Sequence, residues 1–102
     1  MAERDFHSLS DFYPYYLGEH QDRRCRRLHF IGTLLVLVIF VVALVSQIWL
    51  LLIALPFAGY GFAWAGHVFF EKNKPATFRH PLYSLLCDFW MFKDMLTGRI
   101  SF

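Results

Sequence analysis

The sequence predicts an all-α integral membrane protein: a two-span transmembrane helical hairpin with an N-terminal interfacial helix and a C-terminal amphipathic helix. Three observations carry this. From Leu28 to Phe70, 43 residues pass without a Lys, Arg, Asp or Glu. A bilayer core takes about 20 apolar residues per helix, so the run is too long for one span and suits two. The chain is 57% hydrophobic and 20% aromatic with a mean hydropathy of +0.39, above the roughly 45–50% apolar content usual for soluble domains. Ser46-Gln47 is the one polar pair inside the run, which places a turn there.

Residues 1–102 read as a single membrane domain. The N-terminal helix and a basic loop occupy about residues 10–27. Ser10 or Asp11 can cap the helix, with Pro14 in its opening turn. Phe12, Tyr13, Tyr15 and Tyr16 suit a membrane interface, where rings with polar tips settle. Gly18 weakens the helix locally. The first span covers 28–45 and is rich in Leu, Val and Ile. The second covers 48–71, with Pro56 as a kink and Ala58, Gly59, Gly61, Ala63, Ala65 and Gly66 as a small-residue face for close helix approach. Asn73 and Pro75 carry stop signals. A helix over 81–98 follows, with Leu82, Leu85, Leu86, Phe89, Phe92 and Leu96 at helical spacing. It is too interrupted by charge for a third span.

The arginine cluster Arg23, Arg24, Arg26 and Arg27 precedes the first span, and Lys72, Lys74 and Arg79 follow the second. The turn carries no charge. The positive-inside rule then puts both termini in the cytoplasm, of a bacterial inner membrane or of the endoplasmic reticulum. The first 27 residues hold five acids and five arginines, unlike a signal peptide. Cys25 and Cys87 form no CxxC pair and read as reduced thiols. The basic cluster abuts a span, so it points to lipid head groups and away from nucleic acid. Arg24 and Arg27 are candidates for holding a fatty carboxylate, for which a guanidinium is well shaped.

A turn at Ser46-Gln47 leaves His29 about 17 residues before it and His67 about 20 after it. At 1.5 Å per residue their depths differ by only about 4–5 Å. An antiparallel hairpin therefore brings both to one level near the cytoplasmic interface. Glu71 lies one turn beyond His67 on the same face, and His20 approaches from the preceding segment. Imidazoles with a carboxylate and an open position suit Fe(II), and also Zn(II). His20 and His29 are nine residues apart, about 900° of helical rotation, or half a turn out of phase. A break between Gly18 and Arg27 is needed to aim both at one ion. The competing reading makes His29 an interfacial hydrogen-bonding residue and pairs Glu71 with Lys72, Lys74 or Arg27. His7 is expected to be unliganded, and His80 to serve a loop or act as a fourth ligand.

His20, eight residues and His29, then Gly32 in the apolar run, then Gly66-His67-x-x-x-Glu71 and Pro75-Ala76, form an ordered pattern. It resembles the Mpo-type 2-hydroxy fatty acid dioxygenase family, whose short bacterial members were long filed as a membrane domain of unknown function. The resemblance runs from about Phe12 to Phe102 and includes GYGFAWAGHVFFEKNKPATF and PLYSLL. It implies an Fe(II)-dependent membrane dioxygenase that uses O2 to shorten a 2-hydroxy fatty acid by one carbon. It further implies His20, His29 and His67 as iron ligands, with Glu71 as a ligand or supporting catalytic carboxylate. Larger members carry Asn midway between the first two histidines, where this chain has Cys25, and have more membrane segments. A second copy is expected to help a chain this short enclose a lipid. The alternatives are a non-catalytic membrane hairpin acting as a partner or assembly factor, and a metal-dependent hydrolase on the same ligands.

Overall fold

The computed structural model describes residues 6–73 and 79–102. Every regular element among them is helical. Helix α1 spans Leu9–Gly18, α2 spans Arg23–Ser46, α3 spans Ala54–Gly66 and α4 spans Pro81–Leu96. A 3₁₀ turn over Trp49–Ile53 leads into α3, and a π turn over His67–Glu71 leads out of it.

The cap of α1 is Ser8, whose hydroxyl accepts the Asp11 N–H at 3.1 Å, so the helix starts earlier than Ser10 or Asp11 would allow. Pro14 therefore falls in the second turn and leaves the Ser10 carbonyl without a helical donor. The break that the histidine spacing demands lies between Gly18 and Arg23. The arginine cluster, expected as a loop, forms the opening of α2 instead. Asp22 caps that helix by accepting the Arg24 N–H at 2.8 Å, which satisfies a terminal donor and makes helix the better state for the basic run.

Helix α2 ends at Gln47, which takes the left-handed conformation (φ 60°) at the expected turn. Pro56 sits in the first turn of α3, where its missing N–H costs nothing. Helix α3 then runs back along α2. Cys25 meets Gly66, Gly32 meets Ala58 and Phe62, and Val36 meets Gly59. A Cβ on Gly32 would come within 3.0 Å of Phe62 Cβ and 3.2 Å of the Ala58 carbonyl, so the crossing needs glycine there. Helices α2 and Trp49–Glu71 are each long and apolar enough to cross a membrane.

The core lies at the end away from the turn. Phe12, Tyr13 and Tyr16 of α1 are buried against Cys87, Met91 and Met95 of α4. Tyr13 stacks on Trp90 at 4.0 Å with the ring planes 7° apart, and its hydroxyl donates to Asp94 at 2.8 Å. The aromatic residues expected at a lipid interface are thus largely core. Helix α4 packs on both α1 and α2. Both cysteines are free and buried. Pro75 lies outside the described residues.

Candidate metal centre

His20 leaves the short α1–α2 connection, His29 stands on the second turn of α2, and His67 opens the π turn. All three are buried. His20 Nε2 lies 3.1 Å from His29 Nε2 and 2.9 Å from His67 Nε2. The Sγ of Cys25 joins them, and the four donor atoms all lie within 4.8 Å of one another.

The opposite ring nitrogens show which tautomers face inward. His20 Nδ1 is 2.6 Å from the Tyr16 carbonyl, His29 Nδ1 is 3.2 Å from Asp88 Oδ1, and His67 Nδ1 is 2.6 Å from Asn73 Oδ1. Carbonyl and carboxylate oxygens only accept, so each Nδ1 donates. The Asn73 amide is oriented by its NH2, which donates to the Glu19 carbonyl at 3.3 Å and to the Glu19 carboxylate at 3.2 Å. A neutral imidazole with Nδ1–H carries its lone pair on Nε2. Three lone pairs therefore face inward with no proton between them, that of His20 at hydrogen-bond distance from each of the other two. That arrangement is repulsive by itself and is relieved by a cation.

Protonation is a poor remedy. Burial, and next the neighbouring His29, hold His20 well below the usual imidazole range, because a charged ring would lose its water. A metal ion fits the geometry. Two nitrogens each about 2.1 Å from one ion and at right angles stand about 3.0 Å apart. The observed 2.9 and 3.1 Å separations match that figure. Nδ1 bonds to a carbonyl, a carboxylate and an amide oxygen are also the usual outer support of metal-binding histidines.

The surroundings are built around these rings. Tyr16 stacks on His20 at 4.0 Å, and its hydroxyl donates to the same Asp88 Oδ1 that holds His29. Burial, followed by the charge of Asp88, keeps Tyr16 protonated far above its ordinary range. Gly66 has no side chain because Cys25 occupies the space: a Cβ there would lie 2.8 Å from its Sγ.

A family model described as 2-hydroxy-palmitic acid dioxygenase Mpo1-like matches residues 6–100. The chain belongs to that family. No curated protein and no solved structure matches the chain. In this Mpo1-like chain the candidate centre draws on the α1–α2 connection, α2 and the π turn after α3, and is braced by Asp88 of α4.

The other expected residues lie apart. Glu71 accepts the Asp22 N–H at 2.5 Å and lies beside the Cys25 thiol, so its carboxylate ties the π turn to the start of α2 and does not join the nitrogen cluster. Arg24 pairs with Asp22 at 3.2 Å and covers Phe70 at 4.4 Å. Arg27 donates to the Phe102 carbonyl at 2.7 Å and lies over that ring. Neither reaches the histidines, because their guanidinium groups are already engaged at the helix surface. His80 packs by its edge among Phe6, Phe12 and Tyr15, and His7 is exposed; neither is in the cluster. Sequence reasoning missed Asp88 and the active role of Asn73. Asp88 had a faint signal as an acid within the apolar face of a helix. Asn73 read as a helix stop and is also the acceptor for His67.

Proposed function

We propose that this chain is a membrane-embedded, Fe(II)-dependent dioxygenase of 2-hydroxy fatty acids. It would cleave the C1–C2 bond with O2 as oxidant, leaving an acid one carbon shorter and releasing C1 as CO2 together with one water. The carrying observation is the convergence of three Nε2 lone pairs whose Nδ1 partners are all acceptors. Family membership supplies the reaction class. His20, His29 and His67 would hold the ion, with Cys25 within reach as a further donor. Iron at such a site supplies Lewis acidity toward the substrate's hydroxyl and carboxylate and a redox partner for O2.

The chain's own residues prepare that chemistry. Asp88, Asn73 and the Tyr16 carbonyl fix the ring orientations before any ligand arrives. Burial of the rings excludes water. Glu71 acts by position, holding the start of α2 against the π turn so that Cys25 and His29 share a level with His67. The α2 and Trp49–Glu71 helices would form a transmembrane hairpin, and the centre lies at its open, polar end. A hydroxy-acid head can then sit in a wet region while its tail stays in an apolar one. Arg24 and Arg27 would favour an anionic amphiphile by their charge at that interface.

The test is metal content after anaerobic reconstitution with Fe(II), followed by O2 uptake with 2-hydroxyhexadecanoic acid. Wild type should retain about one iron per chain, and His67→Ala should lose it, because one of three convergent donors is gone. Background iron in both would leave a non-catalytic hairpin as the better reading. Bound metal with O2-independent turnover would favour the hydrolase.

A further inference from the structure

A cavity of about 320 Å³ opens between α2, α3 and α4. Its walls include Val36 of α2, Gly59 and Tyr60 of α3, and Leu85, Asp88 and Phe89 of α4. Asp88 is the one charged residue of the lining among the described residues, and it also accepts from His29 Nδ1 and from the Tyr16 hydroxyl. The cavity and the histidine cluster therefore share a wall. We propose that this cavity receives the acyl chain of the hydroxy acid, with Asp88 marking the point where the polar head meets the tail. The inference rests on the dioxygenase reading and adds to it the place of the tail.

Direction along the helices supports it. Val36 follows His29 by seven residues on α2, a displacement of about 10 Å toward the turn. Gly59 precedes His67 by eight residues on the returning helix α3, about 12 Å in the same direction. The cavity thus begins beside the centre and extends toward the middle of the apolar run. An amphiphile whose head lies at the histidines must send its tail somewhere apolar. Apart from Asp88 and the Tyr60 hydroxyl, this path is lined by apolar groups among the described residues. Gly59 puts no side chain into it, and a Cβ there would meet Val36 at 3.4 Å. Leu85 stands at the rim, 43% exposed, so a larger side chain there narrows the opening without entering the α2–α3 contact.

The experiment uses the full chain in lipid nanodiscs, with 2-hydroxyhexadecanoic acid carrying a diazirine midway along its chain. After irradiation, mass spectrometry locates the adducts. The expected adducts fall near Val36, Gly59–Tyr60 and Leu85–Phe89 and are competed by unlabelled 2-hydroxyhexadecanoic acid. Leu85→Trp should lower them about tenfold, comparable to losing roughly two buried methylenes of contact, with metal content unchanged. Adducts on the outward residues Val41, Val45 and Phe57, insensitive to competition, would place the tail in bulk lipid and overturn the proposal. So would adducts bridging to a second copy, which would make the cavity an interface. A separate measurement isolates the underlying reading: the visible spectrum of the Co(II)-loaded protein with 2-hydroxyhexanoic acid, too short to fill the cavity. A response that Leu85→Trp leaves intact keeps the centre's role whatever the labelling shows. A spectrum that ignores both the short and the long acid would overturn the dioxygenase reading and the cavity's role with it.

Discussion

Asp88 and Asn73 never touch the centre of the histidine cluster, yet they decide whether it exists. Each removes the proton from the inward side of a ring by offering an acceptor on the outward side. Without that acceptor the ring can turn or switch tautomer, and its Nε2 lone pair is lost to the ion. Replacing such supporting groups typically weakens metal affinity by about 10–100-fold. Asn73→Ala and Asp88→Asn are each expected to fall in that range, read by competition with a chromophoric chelator. Asp88→Asn keeps an oxygen acceptor for His29 but removes its charge, so it should be the milder of the two. His7→Gln, at an exposed position, should leave affinity unchanged. An affinity unmoved by both supporting variants would mean that the rings are held by packing alone. His29 and His67 could be paired from the sequence because depth in a hairpin is arithmetic on residue number, whereas His20 needed the chain break before α2 to join them. Asp88 lies 59 residues from its partner His29, joined through the docking of α4, which no local spacing encodes. For Arg24 and Arg27 charge type was visible in the sequence, but the partners they take in the fold, Asp22 and the Phe102 carbonyl, were not.

At the scale of elements, the sequence gives lengths and boundaries better than it gives neighbours. The turn at Gln47 and the end of α2 follow from one polar pair in an apolar run. The aromatic face of α1 was equally visible, but lipid interface and protein core favour the same residues, so α4 as its partner was hidden. That pairing has a pH signature. Burial, and then the hydrogen bond to Asp94, raise the Tyr13 hydroxyl far above its ordinary 10.0. Burial, and then the charge of Asp88, raise the Cys87 thiol from 9.0 to about 12. In both cases the folded state keeps a proton that the unfolded state releases. Their contribution is complete below about pH 9. It is lost as pH rises, first from Cys87 between 9.0 and about 12 and then also from Tyr13 above 10.0. Through these groups thermal melting in detergent should therefore stay level up to about pH 9 and fall as pH rises beyond it. Tyr13→Phe should start lower, because Asp94 loses its donor, and should decline less steeply above pH 10. Parallel curves for the two proteins would show that the hydroxyl does not titrate with unfolding.

For the molecule as a whole, the surface along the spans is what a membrane would have to cover. Only 22% of the most apolar window of α2 and 11% of that in Trp49–Glu71 is buried within the chain. Val45, Leu50 and Phe57 are among the most exposed apolar residues, at 81%, 73% and 75%. At 24 residues α2 is about 36 Å long, enough for a hydrocarbon core of about 30 Å. The charge map then sets direction. The arginines at the start of α2, with Lys72, Arg79, Lys93 and Arg99, gather at the open end, and the turn has none. The open end is expected to stay in the cytoplasm, which would place the histidine cluster at the cytoplasmic edge of the bilayer. Single engineered thiols test this cleanly, because Cys25 and Cys87 have no exposed surface and contribute little background. In spheroplasts, Ser46→Cys at the turn should react with a membrane-impermeant maleimide from outside. Ser10→Cys and Ser101→Cys should react only after the membrane is opened. The reverse pattern would turn the molecule over and put the centre on the outer face, facing a different pool of acids. Reaction at all three positions in intact spheroplasts would show that the helices do not cross, and the exposed apolar belt would then need a protein partner in place of lipid.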